Sequence, residues 1–494
     1  MASEIRVNKI ENRSGLGTVT FADTGVDLAG IVTATTFSGS GASLTNIPDS
    51  ALSAVTASKL TGALPAISGA NLTGIAASDN VRTGILDVAG VSTFRNTMNV
   101  GAAVTISESG IEASGIGITV ANINGTQIGG RRNIIINGAM MVAQRGTSST
   151  VTSGGYFTVD RIRSSVGGAD EAPTMAQVDV SSGTDPYKSG FRKAFRVTHG
   201  NQTSGAGASD YIQIDYYVEA QDVAKSGWEY TNPNSFVTLS FWIKSSVATA
   251  FPVTFRTMDG TSQAFNMSTG SLTADTWTKV IKTIPGNSNL TFDNDNGRGI
   301  RMMFFPWIGT TYTTDGLTLD TWSAWSDPKH SFELATTWWT TNDATWEITG
   351  LQLEVGSQAT AFEHRSFGEE LQLCHRYYYD YLYKESNNQY GTTNANRSLG
   401  VVMGWAATEV DHPIKFSTPM RAIPSLDQST GSNYFQIEGG GASSTYVDGS
   451  WTLQFGNVNG CNIYATPDTN VTSGNIYHGV ARNTAAQISF EAEL

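Results

Sequence analysis

The chain is poor in several things at once. Its 494 residues include two cysteines, Cys374 and Cys461, too few for a disulfide framework and too far apart for a metal motif. Charged residues make up only 15%, and their balance is acidic, −13. Nucleic acid and anionic membrane surfaces are poor partners for such a chain, because both select clustered Lys and Arg. No apolar run approaches the roughly 18 residues of a spanning helix, so membrane insertion is not expected. The opening MASEIRVNKI lacks the apolar core of a secretion signal, and a protein made in a cytosol and staying soluble is expected. The six histidines show no metal-ligand spacing. Nucleophile elbow, phosphate loop and HExxH patterns are missing too. No catalytic residue, cofactor or metal is therefore expected.

Large side chains are missing from residues 1–130, which hold no Trp or Tyr and only Phe21, Phe37 and Phe94 as aromatics. Short Ile, Val and Thr runs punctuated by Gly take their place. Ser40–Ile47 (SGASLTNI) recurs 28 positions on as Ser68–Ile75 (SGANLTGI), identical at six of eight places. Looser echoes occur at Gly30–Phe37, Gly90–Phe94 and Gly117–Ile123. One such unit cannot bury its own apolar face. The region is either a flexible linker or an intertwined β-stalk whose core is shared among several chains. Its β-branched content and low charge favour the stalk, since disorder goes with the opposite composition. Asp49–Leu60 has the pattern of a short helix, with Asp49 as N-cap and Leu52, Val55 and Lys59 on one side.

What is abundant points to strands and turns: 52 Gly, and nine of the 11 Trp between Trp228 and Trp346. Ile134–Val142 reads as a buried strand. Period-two alternation marks Phe195–Thr198, Tyr211–Asp215, Val237–Ile243, Val253–Arg256, Trp277–Val280, Ile300–Phe304, Thr345–Thr349 and Leu351–Val355. Many short strands separated by Gly, Asn, Pro and Ser clusters predict an all-β, jelly-roll-like sandwich over 131–365. Ser366 and Glu369 then fit a capping box, opening a helix of two to three turns with Phe367, Leu371, Cys374 and Tyr378 on one face. Tyr377–Tyr383 reads as a strand leading into a second, smaller β-sandwich, the head, over 366–494. Its strands are expected at Ser398–Ala406, Ile414–Ser417, Tyr434–Glu438, Trp451–Phe455, Cys461–Ala465, Asn475–Arg482 and Ala486–Ala492. Glu385–Arg397 and Asp427–Asn433 are expected to be polar connections, and Thr418–Pro424 an ordered loop.

Three stretches resemble the tail fibres, or distal receptor-binding proteins, of tailed bacteriophages. NIIINGAMMVAQRG at Asn133–Gly146, with YFTVDRI at Tyr156–Ile162, resembles the opening of the carbohydrate-binding-like sandwich of many such fibres. Gly350–Tyr378 resembles its close and the helix after it. Residues 1–130, with TATTFSGSGASLTNI, are similar to shafts common in cyanobacterial phages. Together these touch about half of the chain. The resemblance implies an elongated homotrimer carried on the virion, with the N-terminal region on a tail or baseplate protein and the C-terminal domains at the tip. It says nothing of receptor identity.

The charged residues around the joint (Asp160, Arg161, Glu354, Glu363, Arg365, Glu369, Glu370 and Arg376), with the capping Ser366, read as an ion-pair and capping network holding two domains together, not as acid–base machinery. Asp293–Gly297 (DNDNG) has oxygen ligands at alternate positions but lacks the downstream Glu of a calcium loop, and reads as a turn. Sugars stack their C–H faces on aromatic rings and bond through hydroxyls to amides and carboxylates. In the head, Tyr390, Tyr434, Tyr446, Asp448 and Trp451 fall in or beside polar loops and are the glycan-binding candidates. In the sandwich, Trp322, Trp325, Trp338 and Trp339 are further candidates. As strand neighbours, one of Trp338 and Trp339 is expected in the core and the other outside. The acidic balance favours a neutral host surface polysaccharide, or divalent-cation bridging where the receptor is acidic. The rival readings are a tailspike-type depolymerase, which calls for a parallel β-helix with paired carboxylates, and a purely structural baseplate or connector part.

Overall fold

The computed structural model describes residues 132–326, 330–382, 397–439 and 444–494, together with short stretches between Arg6 and Ala113. The chain divides into two compact units, Met1–Glu112 and Ala113–Leu494. The first contains two small antiparallel sheets, one of Lys9–Glu11, Thr18–Ala22 and Gly25–Leu28, the other of Met98–Val100, Val104–Ser107 and Gly110–Ala113. Asp49–Leu60 and most of the SGAxLTxI repeat lie outside the described residues.

The second unit opens with two antiparallel sheets packed face to face. One has the order Thr278–Pro285, Phe236–Ser245, Thr345–Val355, Lys193–Thr198, Thr174–Asp179, Ser148–Thr150. The other runs Trp322–Ala324, Gln263–Ser268, Pro252–Thr257, Arg298–Ile308, Tyr211–Glu219, Arg163–Gly167, Gly155–Tyr156. Alternation decides what faces inward: Val237, Leu239, Phe241 and Ile243 are all fully buried. Phe241 meets Phe304 of the opposite sheet edge-on at 5.3 Å between centroids. Gly350, with φ of 66°, sits at a register shift between Thr345–Val355 and Phe236–Ser245. The extra residue lets Ile348 and Leu351 both enter the core. A Cβ there would come within 2.6 Å of the Phe191 ring.

Two expectations for this sandwich need correction. Ile134–Val142 forms no strand. Asn137 and Met140 have φ of 60° and 58°, and the buried Asn137 side chain closes a turn onto Val142 and Asp160. The segment's backbone still bonds the strand Thr345–Val355 at Ile134 to Leu353 and Leu351 to Gly138. Trp338 and Trp339 are both fully buried. They lie in a turn-rich stretch, not a strand, so alternation does not apply, and together they enclose His199.

The head packs a seven-stranded sheet, in the order Thr445–Val447, Phe435–Glu438, Ile476–Ala481, Arg397–Ala406, Glu409–Lys415, Gly460–Ala465, Thr452–Asn457, on a three-stranded one of Tyr378–Leu382, Gln487–Glu491 and Ser425–Ser429. The last strand overlaps, at Asp427–Ser429, what reads as a polar connection. Its side chains are mostly polar (SLDQS), so only its pairing with Gln487–Glu491 defines it. Leu399, Val402, Phe435, Ile437 and Ile463 face Ile488 and Phe490 in a core separate from that of the first sandwich.

The helix Phe367–His375 joins the two sandwiches. Its capping box is complete: Glu369 N–H donates to Ser366 Oγ, and the Glu369 carboxylate accepts from Ser366 N–H. The face it buries is the expected one at Leu371, Cys374 and Tyr378, with Glu370 added and Phe367 left out. Phe367 is exposed, whereas Glu370 and Cys374 are buried. Glu370 is drawn inward because it accepts from Asn137 N–H and pairs with Arg365, which also donates to the carbonyls of Asn133 and Ile135. Glu354 accepts from Thr360 and fastens the strap before the helix.

Beyond the helix, charge does the joining. Arg376 forks onto Glu219 at 2.6 and 2.7 Å, and Tyr377 donates to the same carboxylate. Buried Arg161 pairs with Glu493, donates to the Tyr217 carbonyl and lies 3.4 Å over the Tyr377 ring. Asp160 accepts from the backbone and side-chain amides of Gln144, which in turn donates to the Tyr378 carbonyl. Arg145 lies 3.6 Å over Tyr378. Ile136, Val142, Tyr217, Cys374, Tyr377 and Leu494 form a small apolar cluster beside this network. At Asp293–Gly297, Gly297 N–H donates to Asp295 Oδ1, and Asn296 bonds Arg421.

Candidate functional site

One face of the seven-stranded head sheet lies on its core and the other faces outward. At one edge Tyr446, half-buried, is the cross-strand partner of Gln436, which is buried together with Phe435, Ile437 and Val447 but reaches the sheet's surface beside Tyr446. Arg482 follows the strand Ile476–Ala481, donating to Gln436 Oε1 and pairing with Glu438. Asn483 and Thr484 continue from it, and Ser432 and Asn433 approach from the facing turn. These residues line a hollow of ≈ 500 Å³.

Three of the five head candidates meet here, in different roles. Tyr446 lines the hollow itself. Asp448 accepts from the backbone N–H of Asn433, holding that residue at a φ of 61°, a left-handed conformation Asn tolerates. Tyr434 packs partly on the head core and its carbonyl accepts from Arg482 N–H at 2.8 Å. Its ring lies over Gly431, where a Cβ would come within 2.9 Å of it. Trp451 does not belong to the site. It is 2% exposed, meets Phe435 edge-on at 5.8 Å and is pinned by Gln428 through its backbone, so its ring offers no face to a ligand. Tyr390 lies outside the described residues.

Sequence reasoning missed Ser432, Asn433, Gln436, Arg482, Asn483 and Thr484. Their signal was an Arg-Asn-Thr run just past a strand and a polar stretch Asp427–Asn433, which only the sheet order brings together. The hollow presents amides from Asn433, Gln436 and Asn483, hydroxyls from Ser432 and Thr484, a guanidinium and one phenol ring. Among the described residues lining it there is no carboxylate and no histidine. It can hold a polyhydroxylated ligand by hydrogen bonds and stacking.

The sandwich tryptophans serve packing. Trp322 donates to the Pro285 carbonyl and meets Phe255 and Phe265, while Trp325 lies under the Arg256 guanidinium at 4.0 Å. A cleft of ≈ 360 Å³ beside Trp242 is bordered by Phe191, Phe362 and His364, which face one another at 4.8 to 5.2 Å.

No protein-family model matches the sequence, and no curated protein does. Several solved structures are similar in part, three of them as follows. They are the enzymatically active domain of tailspike protein 4 from bacteriophage CBA120 (TM-score 0.22, 10% identity, 45% of this chain and 21% of that one), a putative sugar binding protein from Bacteroides thetaiotaomicron (0.23, 10%, 45% and 99%), and a family 11 carbohydrate-binding module from Clostridium thermocellum in complex with a mixed-linked tetrasaccharide (0.20, 12%, 44% and 98%). The chain spans about a fifth of the tailspike chain it matches. Likeness at these scores carries no argument about chemistry.

Proposed function

We propose that this chain is a non-enzymatic bacteriophage tail fibre. It attaches to a tail or baseplate protein by its N-terminal region and binds a neutral host surface polysaccharide with its head. The observation that carries this reading is the amide- and hydroxyl-lined hollow at Tyr446, whose chemistry suits sugar hydroxyls and a C–H face. The small-residue repeats of 1–130 support a homotrimer, since their core needs other chains. A second support is the outward stripe of Val401, Met403, Trp405 and Ile476 on adjacent head strands, with Trp405 62% and Ile476 68% exposed. Apolar residues with Trp and Met are what protein interfaces collect, and copies that each carry −13 meet most easily where neither presents charge. The protein acts on the virion, with neither nucleic acid nor membrane as partner. Mixing the full chain with polysaccharide extracted from host cells is expected to give a complex with the polymer's length unchanged. Shortened chains would favour a depolymerase, and no complex a purely structural connector.

A further inference from the structure

We propose a second sugar-binding site at the opposite edge of the same head sheet, built on Phe455. The hairpin of Thr452–Asn457 and Gly460–Ala465 carries a register shift between Gln454 and Asn457. Within that bulge Phe455 has φ of 51°, a left-handed conformation that is strained for a bulky side chain. Its ring is 80% exposed. A bulge re-aims a side chain, and this one turns a large apolar ring into water at a cost that packing does not offset.

What surrounds the ring gives it a use. Phe455 borders a shallow hollow of ≈ 470 Å³ with Lys415, Asn457, Asn459 and Asn462. Asn457 Oδ1 accepts from Asn459 N–H and sets the turn. The side-chain amides of Asn459 and Asn462 make no hydrogen bond among the described residues, so each keeps donors and an acceptor for a ligand. An aromatic platform beside open amides takes a pyranose ring, its C–H face on Phe455 and its hydroxyls on the asparagines. The sheet order places this hairpin six strand spacings from Tyr446, roughly 29 Å. One polysaccharide chain reaching across the head would engage both edges, and linked engagement raises affinity without new contacts.

This inference rests on the glycan-binding reading of the head, and the test separates the two. The full chain is examined by saturation-transfer NMR against a panel of neutral hexose and N-acetylhexosamine oligosaccharides, as wild type, Phe455→Gly and Tyr446→Ala. Glycine accepts the positive φ, so Phe455→Gly is expected to unfold no earlier than wild type while weakening binding at least about fivefold. Tyr446→Ala is expected to leave a residual signal, which the double variant Tyr446→Ala with Phe455→Gly loses. Loss with Tyr446→Ala alone overturns the second site and leaves the first. Loss with Phe455→Gly alone keeps the second site and overturns the first. No saturation of any panel member by wild type overturns both.

Discussion

Arg161 shows what one residue does at the joint. Both it and its partner Glu493 are almost fully buried, and the guanidinium also serves the Tyr217 carbonyl and the Tyr377 ring. Removing one partner of such a pair leaves an uncompensated charge out of water. Arg161→Ala is therefore expected to cost about 3–5 kcal/mol in denaturant unfolding, and a loss under about 1 kcal/mol would mean the pair is solvated. Asp380 works against the fold at neutral pH. One of its oxygens accepts from Ser489 and the other is buried without a partner among the described residues. Burial pushes its carboxyl up to about 7, and that of Asp160 up to about 6 despite Arg145 and Gln144. A carboxyl raised in the folded state adds stability fully below its unfolded value near 3.9 and loses it as pH climbs through the folded value. Burial holds His199 and His375 down to about 4, which acts in the opposite sense between pH 4 and 6.5. Comparing wild type with Asp380→Asn cancels the histidines. The variant is expected to match wild type near pH 4 and to melt at higher temperature at pH 8. A shift of equal size at both pH values would contradict this.

At the scale of elements, the helix Phe367–His375 is nine residues and stands only because it is capped and docked. Ser366→Ala is expected to cost about 1 kcal/mol in chemical denaturation, with no change in glycan binding, since the cap is remote in the chain from the hollow. This helix was legible because Ser-x-x-Glu and its length are local properties. So were most strands, whose alternation survives folding. Ser425–Ser429 was not, because an edge strand of polar residues differs from a loop only in having a partner. Ile134–Val142 misled for the reverse reason: its apolar run looks like a strand, but one buried Asn bends it. The hollow was half legible. Tyr434, Tyr446 and Asp448 stood out as aromatics and acid in polar loops, whereas Gln436 and Arg482 sit in or just past strands and acquire a role only through the pairing of Phe435–Glu438 with Ile476–Ala481. Trp451 misled because a Trp beside a polar loop is as often the plug of a small core.

At the scale of the whole molecule, a trimeric fibre would turn weak single sites into one strong attachment. A trimer presents each head site three times, and linked sites gain avidity. Sedimentation of the full chain is expected to give three times the chain mass. Trp405→Glu with Ile476→Glu would set carboxylates into the shared face and is expected to lower the melting temperature of the assembly. A monomeric wild type would remove both the shared stalk core and the apolar stripe as a contact. If the Tyr446 hollow holds the receptor, altering it must weaken binding of the full-length protein to host cells. Tyr446→Ala with Asn483→Ala, at unchanged melting temperature and mass, is expected to weaken that binding at least about tenfold, or about 1.4 kcal/mol per site. Binding equal to wild type would contradict the account.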